Sequence, residues 1–289
     1  MKRFFLISTE HLEEALWFRD DEDFAVGMNY VAIEAFLHKD ILVVAFILMS
    51  NHVHFVLYGE REDVDNYISD FKARYAHYYH IKYEAYNLLR ENKVEIEEIK
   101  ADGEHFERAV AYVLMNCVAA NICSHPSQYP WGSWCSYFRP VKPDGKRLGE
   151  LSVRARRKTL HSYEEIIPRK WILADKGYIL PDNYVGIKAV ESRFKTPQRM
   201  NYFLNNSSKA KKRLESDEKL PAFRDQVILA GLPDLIRSLF QKKSFSELTS
   251  EEQTECLRQI RFRFSSDITQ AARVCGISYS GAAKLIDKT

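Results

Sequence analysis

The sequence predicts an α+β protein: an antiparallel sheet covered by helices on one face, followed by an all-α C-terminal region. The segments run strand, helix, two strands, helix and helix, with a further strand around Glu95. Two apolar runs, Ile41–Met49 and the one that continues through Tyr58, are separated only by Ser50-Asn51, which makes them antiparallel neighbours. The last eighty or so residues read as helical.

Taken in order, Phe4–Ser8 is the first strand and Arg19-Asp20-Asp21-Glu22-Asp23 an acidic helix start, suited to the positive end of a helix dipole. Phe24–Lys39 follows as a helix with Phe24, Met28, Val31, Ala35 and Leu37 on its apolar side. Ile41–Met49 is apolar throughout, which suggests a central strand. Val64 to about Leu89 is a long helical stretch rich in tyrosine (Tyr67, Tyr75, Tyr78, Tyr79, Tyr83, Tyr86), with Arg74 and Lys82 among them. Most of these rings are expected to pack on the sheet; a minority could stack on unpaired bases while Arg74 and Lys82 hold a phosphate backbone. Asp102-Gly103 marks a turn before a helical run with no Gly or Pro, Phe106–Ala120.

Two motifs carry chemistry. In the strand after Ser50-Asn51, side chains alternate, so His52, His54, Val56 and Tyr58 share one face while Val53, Phe55 and Leu57 share the other. Two imidazoles on an apolar backing are two thirds of a metal site. A His-x-His is weak by itself, and two strand histidines held by neighbouring groups is the plain alternative. On the later helix, Tyr112 and Asn116 lie one turn apart, presenting a phenol and an amide oxygen together. The Asn116 carbonyl is a hard oxygen ligand able to complete a site begun by His52 and His54.

Met49-Ser50-Asn51-His52-Val53-His54 with Tyr112-Val113-Leu114-Met115-Asn116 resembles the HUH single-tyrosine transposases, and among them the REP-associated type. Ser127-Gln128-Tyr129-Pro130-Trp131-Gly132-Ser133-Trp134 is similar to the proline-tryptophan-serine segment of that group. Ser50 and Cys117 stand where prolines are usual, and Gly132 where a serine is. The resemblance implies a ferredoxin-like sheet with the metal site on its open face or end. It also implies Tyr112 as nucleophile, and His52, His54 and Asn116 as ligands of a divalent metal, magnesium or manganese. The substrate implied is single-stranded or hairpin DNA, cleaved through a 5′-phosphotyrosine with no nucleotide cofactor, by a monomer or a homodimer. Two other readings remain: a silent hairpin-binding regulator, and a His-x-His metal hydrolase that uses water.

A net charge of +2 gives no global attraction to nucleic acid, so DNA contacts must be local. Lys142, Lys146, Arg147, Arg154, Arg156, Arg157 and Lys158 form a cluster with only Asp144 and Glu150 as acids. From charge alone a solvated loop is as good a reading as a backbone-contacting surface; the resemblance favours DNA. Near the C-terminus, Asp267–Ile286 resembles a helix-turn-helix, with Ala272 at the crossing, Gly276 in the turn, Ile277 and Leu285 in the core and Ser278 as cap. Tyr279, Ser280, Gly281 and Lys284 would then face the groove, against the plainer reading of a helical hairpin.

The expected organisation is a nuclease domain over 1–138, a basic linker and irregular extension over 139–206, and a helical domain over 207–289. Five scattered cysteines without a Cys-x-x-Cys pair read as free thiols. The short apolar run after Met1-Lys2-Arg3 is no signal peptide, and no run reaches transmembrane length, so the expectation is a cytoplasmic, nucleoid-associated protein without a membrane partner.

Overall fold

The computed structural model describes residues 1–85, 88–89, 91–101, 103–141, 143–207 and 223–287. Tyr86, Asp102 and Lys142, singled out above, lie outside them, as does the start of the expected C-terminal domain. Strand β1 (Arg3–Thr9), helix α1 (Asp21–Leu37), strands β2 (Leu42–Met49) and β3 (His52–Gly59), helix α2 (Arg61–Tyr83) and strand β4 (Val94–Glu98) follow one another. The sheet order is β2-β3-β1-β4 with every pair antiparallel, a ferredoxin-like β-α-β-β-α-β unit. Ser50-Asn51 closes the β2–β3 hairpin so that Met49 pairs with His52 and Ile47 with His54.

The parity expected for β3 is present. Phe55 packs edge-on against Tyr67 and Phe71 of α2, with ring centroids 6.0 and 5.6 Å apart, so Val53, Phe55 and Leu57 face α1 and α2. Tyr67, Tyr75, Tyr78 and Tyr79 are buried there, as core packing requires. Helix α1 is capped by Asp20, whose side chain accepts from the Asp23 amide at 2.8 Å. It is buried nearly all round rather than on one stripe, because residues of the extension cover its outer side. Asn29 Nδ2 donates to Thr159 O at 3.0 Å, the Ile179 amide donates to Asn29 Oδ1 at 2.8 Å, and Tyr30 Oη donates to His161 O at 2.9 Å.

Three expectations need correction. The sheet is covered on both faces: α3 (His105–Leu114) lies over β2 and β3 on the side opposite α1 and α2. It buries Phe106, Ala109, Val110, Val113 and Leu114, a stripe at helical spacing. The run to Ala120 is not one helix either. It breaks at Met115 (φ −86°, ψ 1°) before a single turn, α4 (Asn116–Ala119). Asn116 Nδ2 donates to Tyr112 O at 2.9 Å and Val113 O at 3.2 Å, taking carbonyls that a continuing helix would use. Residues 139–206, lastly, are no linker. They include α5 (Val153–Leu160), α6 (Ile187–Phe194) and α7 (Pro197–Asn205), and Trp171, Ile179, Val190, Phe194 and Phe203 join the core of the sheet.

The Pro130-Trp131-Gly132-Ser133 segment lines the outer edge of β2. The Leu48 amide donates to Trp131 O at 2.8 Å and the Ser133 amide to Phe46 O at 3.0 Å, while Trp131 stacks on Phe24 at 5.0 Å. Gly132 sits where a Cβ would lie 2.8 Å from Phe46 O, so this backbone approach excludes a side chain.

A second core is built by α8 (Asp225–Phe240), α9 (Ser250–Phe264), α10 (Ile268–Cys275) and α11 (Tyr279–Asp287). The expected helix-turn-helix elements are in place. Gly276 ends α10 at φ +71°, Ala272 is buried, Ile277 and Leu285 pack against the core, and Ser278 Oγ accepts from the Gly281 amide at 3.1 Å.

Candidate functional site

The sheet register sets the site. Ile47, His54, Ser8 and Glu95 lie in one cross-strand row, through the pairs Ile47–His54, Ser8–His54 and Ser8–Glu95. His52 stands two residues along β3 on the same face. With α3 over that face, His52 and His54 are only 5 % and 2 % exposed, and their rings meet edge to face at 4.8 Å. Such burial disfavours a charged imidazole, so neutral rings with a nitrogen lone pair are the expected state.

Hydrogen bonds decide which nitrogen carries that lone pair. Asn51 Nδ2 donates to Leu12 O at 2.8 Å, which turns Oδ1 toward His52 Nδ1 at 2.9 Å. A carboxamide oxygen only accepts, so Nδ1 of His52 carries the proton and Nε2 the lone pair. His54 Nδ1 is held by Ser8 Oγ at 2.8 Å. An imidazole fixed through one nitrogen and offering the other is the usual arrangement of a metal-binding histidine.

A third imidazole joins them. One ligand atom each from His11, His52 and His54 lie within 4.8 Å of one another. Exposed His11 stacks on His52, centroids 3.7 Å apart and planes 13° apart. The group can hold a metal ion, and the donor set fits a divalent cation that accepts nitrogen ligands. Sequence reasoning missed His11 because it stands in an irregular segment with no periodicity to place it. Among the described residues Glu34, His38 and Asp70 form a second trio, but Arg74 Nε already donates to Glu34 Oε1 at 2.5 Å and His38 Nε2 meets Asp70 Oδ2 at 3.0 Å, a closed charge network.

Helix α3 brings Tyr112 to the same place. Its ring meets His54 edge to face at 5.5 Å, half-buried at the rim of a cleft of about 510 Å³. Ser8, Glu95, Glu97, Glu98 and Arg108 border the cleft. Burial first, and then the negative charge of Glu95, push the Tyr112 hydroxyl above its ordinary pKa. The lining is acidic, so a phosphate entering it needs a compensating cation. Asn116 is buried one turn beyond Tyr112, its amide nitrogen on the helix carbonyls described above.

The basic candidates lie elsewhere. Arg74 pairs with Glu34 and, at 3.6 Å, with Glu164; Lys82 pairs with Asp20, Glu22 and Asp23 at 2.8, 2.9 and 2.8 Å. Their charge is largely compensated inside the protein. Arg154 and Arg157 are exposed and Arg156 half-buried on α5, with Arg157 paired to Glu165; Arg147 is exposed where its backbone bridges to Ile172. The fold does bring Arg74, Lys82, Arg157 and Lys158 around one cleft of about 640 Å³ with Tyr78 and Tyr163, on the helical layer away from the imidazoles. On α11, Tyr279, Ser280 and Lys284 are exposed together. Among the described residues no helix is long and apolar enough to cross a membrane.

In comparisons with family models, with curated proteins and with solved structures, none matches this chain.

Proposed function

We propose that the chain cleaves and rejoins single-stranded DNA next to a hairpin, with Tyr112 as the nucleophile. The observation that carries this reading is the 5.5 Å edge-to-face approach of Tyr112 to His54, one of two imidazoles whose outer nitrogens are tied to Asn51 and Ser8. Oxygen-rich phosphodiester substrates suit such a pairing of phenol and metal-type histidines. A bound divalent cation, magnesium or manganese by the resemblance, supplies positive charge at the phosphoryl oxygens.

The residues do the rest. Tyr112 Oη forms a bond to phosphorus as the bond from phosphorus to the 3′ oxygen breaks; the phenol proton is lost and the departing 3′ oxygen gains one. The products are a 5′-phosphotyrosine and a free 3′-hydroxyl, and the reverse reaction rejoins strands without a nucleotide. His54 and Tyr112 belong to one chain and meet within it, which supports a centre complete in a monomer. Exposed Tyr279, Ser280 and Lys284 on α11, with Arg154 and Arg157 on α5, are the surfaces proposed to hold flanking DNA.

Glu95, in the same cross-strand row as His54, supports a second reading: a hydrolase in which this carboxylate takes the proton of an attacking water. One experiment separates the two. A labelled single strand carrying a hairpin, incubated with the protein and Mn²⁺, should give a covalent adduct that Tyr112→Phe abolishes. An adduct formed by Tyr112→Phe removes Tyr112 as nucleophile, and cleavage without adduct by both proteins favours the hydrolase.

A further inference from the structure

Two side chains compete for the position beside His52 and His54. Asn116, which the resemblance nominates, has its amide nitrogen on Tyr112 O and Val113 O. His11 has its ring against His52. Its backbone is pinned on both sides: the Glu10 amide donates to Lys93 O at 2.8 Å and the Leu12 amide to Asn51 O at 3.0 Å. Asn51 returns a second bond, Nδ2 to Leu12 O at 2.8 Å. The strand ends thus hold the imidazole over the pair, and only its side-chain torsions are left to vary.

We propose that His11 is the third ligand of the centre, swinging out of its stack on His52 to bind the ion, and that the all-imidazole site takes a transition metal of the zinc or cobalt kind in preference to magnesium. The proposal rests on the metal reading above and deepens it. The swing follows from geometry. An ion about 2.1 Å from a nitrogen on each of two parallel rings 3.7 Å apart would sit roughly 60° out of both ring planes, far from the in-plane lone pairs. The stack therefore has to open before both rings can coordinate. His11 is exposed and moves between staggered rotamers at little cost, whereas His52 and His54 are buried and tied through Nδ1. Asn51 serves both parts, orienting the His52 ring with its oxygen and holding the His11 segment with its nitrogen.

The donor set then selects the metal. Three neutral imidazoles are well matched to Zn²⁺, Co²⁺ or Ni²⁺, while Mg²⁺ prefers an octahedron of oxygens and parts reluctantly with water. With three protein ligands a further position stays open for a phosphoryl oxygen.

The test is a Co²⁺ titration of the full chain, followed by its visible absorption, for wild type, His11→Ala, His54→Ala and Asn116→Ala, each first confirmed to unfold cooperatively. His11→Ala should bind at least about tenfold more weakly with an altered spectrum, Asn116→Ala should match wild type, and millimolar Mg²⁺ should not displace the ion. Wild-type affinity and spectrum in His11→Ala overturn the proposal, as does a loss in Asn116→Ala as large as that in His11→Ala. Absence of protein-bound Co²⁺ in wild type overturns it together with the metal reading. Failure of the DNA adduct assay with Co²⁺ binding intact counts against Tyr112 alone and leaves His11 standing.

Discussion

The side chain of Asn51 accepts from Nδ1 of its neighbour His52 at 2.9 Å while donating to Leu12 O at 2.8 Å, so one amide sets the tautomer of a buried imidazole and anchors the segment beside it. Its orientation is determined by the carbonyl it meets, since only the nitrogen end can donate there. Replacing Asn51 by Ala removes both bonds. We expect metal affinity to fall by about 10–100-fold and stability by about 1–3 kcal/mol, read by titration calorimetry and urea unfolding. Unchanged metal affinity would mean that His52 needs no such partner.

Tyr112 titrates above the ordinary tyrosine value because it is half-buried and because Glu95 places a negative charge near it. Removing that charge favours the phenolate. In Glu95→Gln the hydroxyl should therefore titrate at lower pH, visible as tyrosinate absorbance in a difference titration against Tyr112→Phe. If Tyr112 is the nucleophile, adduct formation should extend to lower pH in this variant, whereas a hydrolase using Glu95 as base should lose its activity.

Gly132 marks a departure from the resembled pattern with a structural reason. A Cβ there would lie 2.8 Å from Phe46 O and 3.4 Å from the Ile47 backbone. Gly132→Ser, although it restores the more usual residue, should push the Trp131 segment off β2 and destabilise the fold by about 1–3 kcal/mol. Thermal melting compares the two, and an equal or higher melting temperature for the serine variant would show that the segment shifts freely.

Asp23 organises the tyrosine helix. It is fully buried and accepts from the Arg19 amide at 2.7 Å and from Tyr78 Oη, Tyr83 Oη and Lys82 Nζ at 2.8 Å each. Asp23→Ala leaves these donors without their acceptor and should cost about 3 kcal/mol or more in urea unfolding. Burial, and after it the charge of Asp23, raise the pKa of both phenols. A raised folded-state value gives stability that is complete below the unfolded value of about 10 and is lost as pH climbs through the folded one. Wild type should lose stability steeply in alkali, and Tyr78→Phe/Tyr83→Phe more gradually. Parallel alkaline curves for the two proteins would assign that loss to other groups.

Much of this was legible in the chain, and the reason is that strand parity, helical spacing and turn chemistry act over a few residues. Alternation along β3 alone puts His52 and His54 on one face and Val53, Phe55 and Leu57 on the other. Gly276 and Ser278 mark the turn between α10 and α11, because only certain residues suit a left-handed C-cap or an N-cap. The four-strand order likewise follows from short connections and apolar runs.

Tertiary structure alone decided what lies across from these elements. His11 reaches His52 only because Leu12 and Asn51 clasp two segments far apart in sequence, and α3 brings Tyr112 beside His54 by covering the face that sequence reasoning left open. Arg74 and Lys82 look like free basic groups in the sequence, yet carboxylates from α1 and its cap meet them in the fold. Such pairings between distant segments leave no periodic trace. They are selected by the burial of apolar surface on both faces of the sheet, which specifies neighbours only once the whole chain has packed.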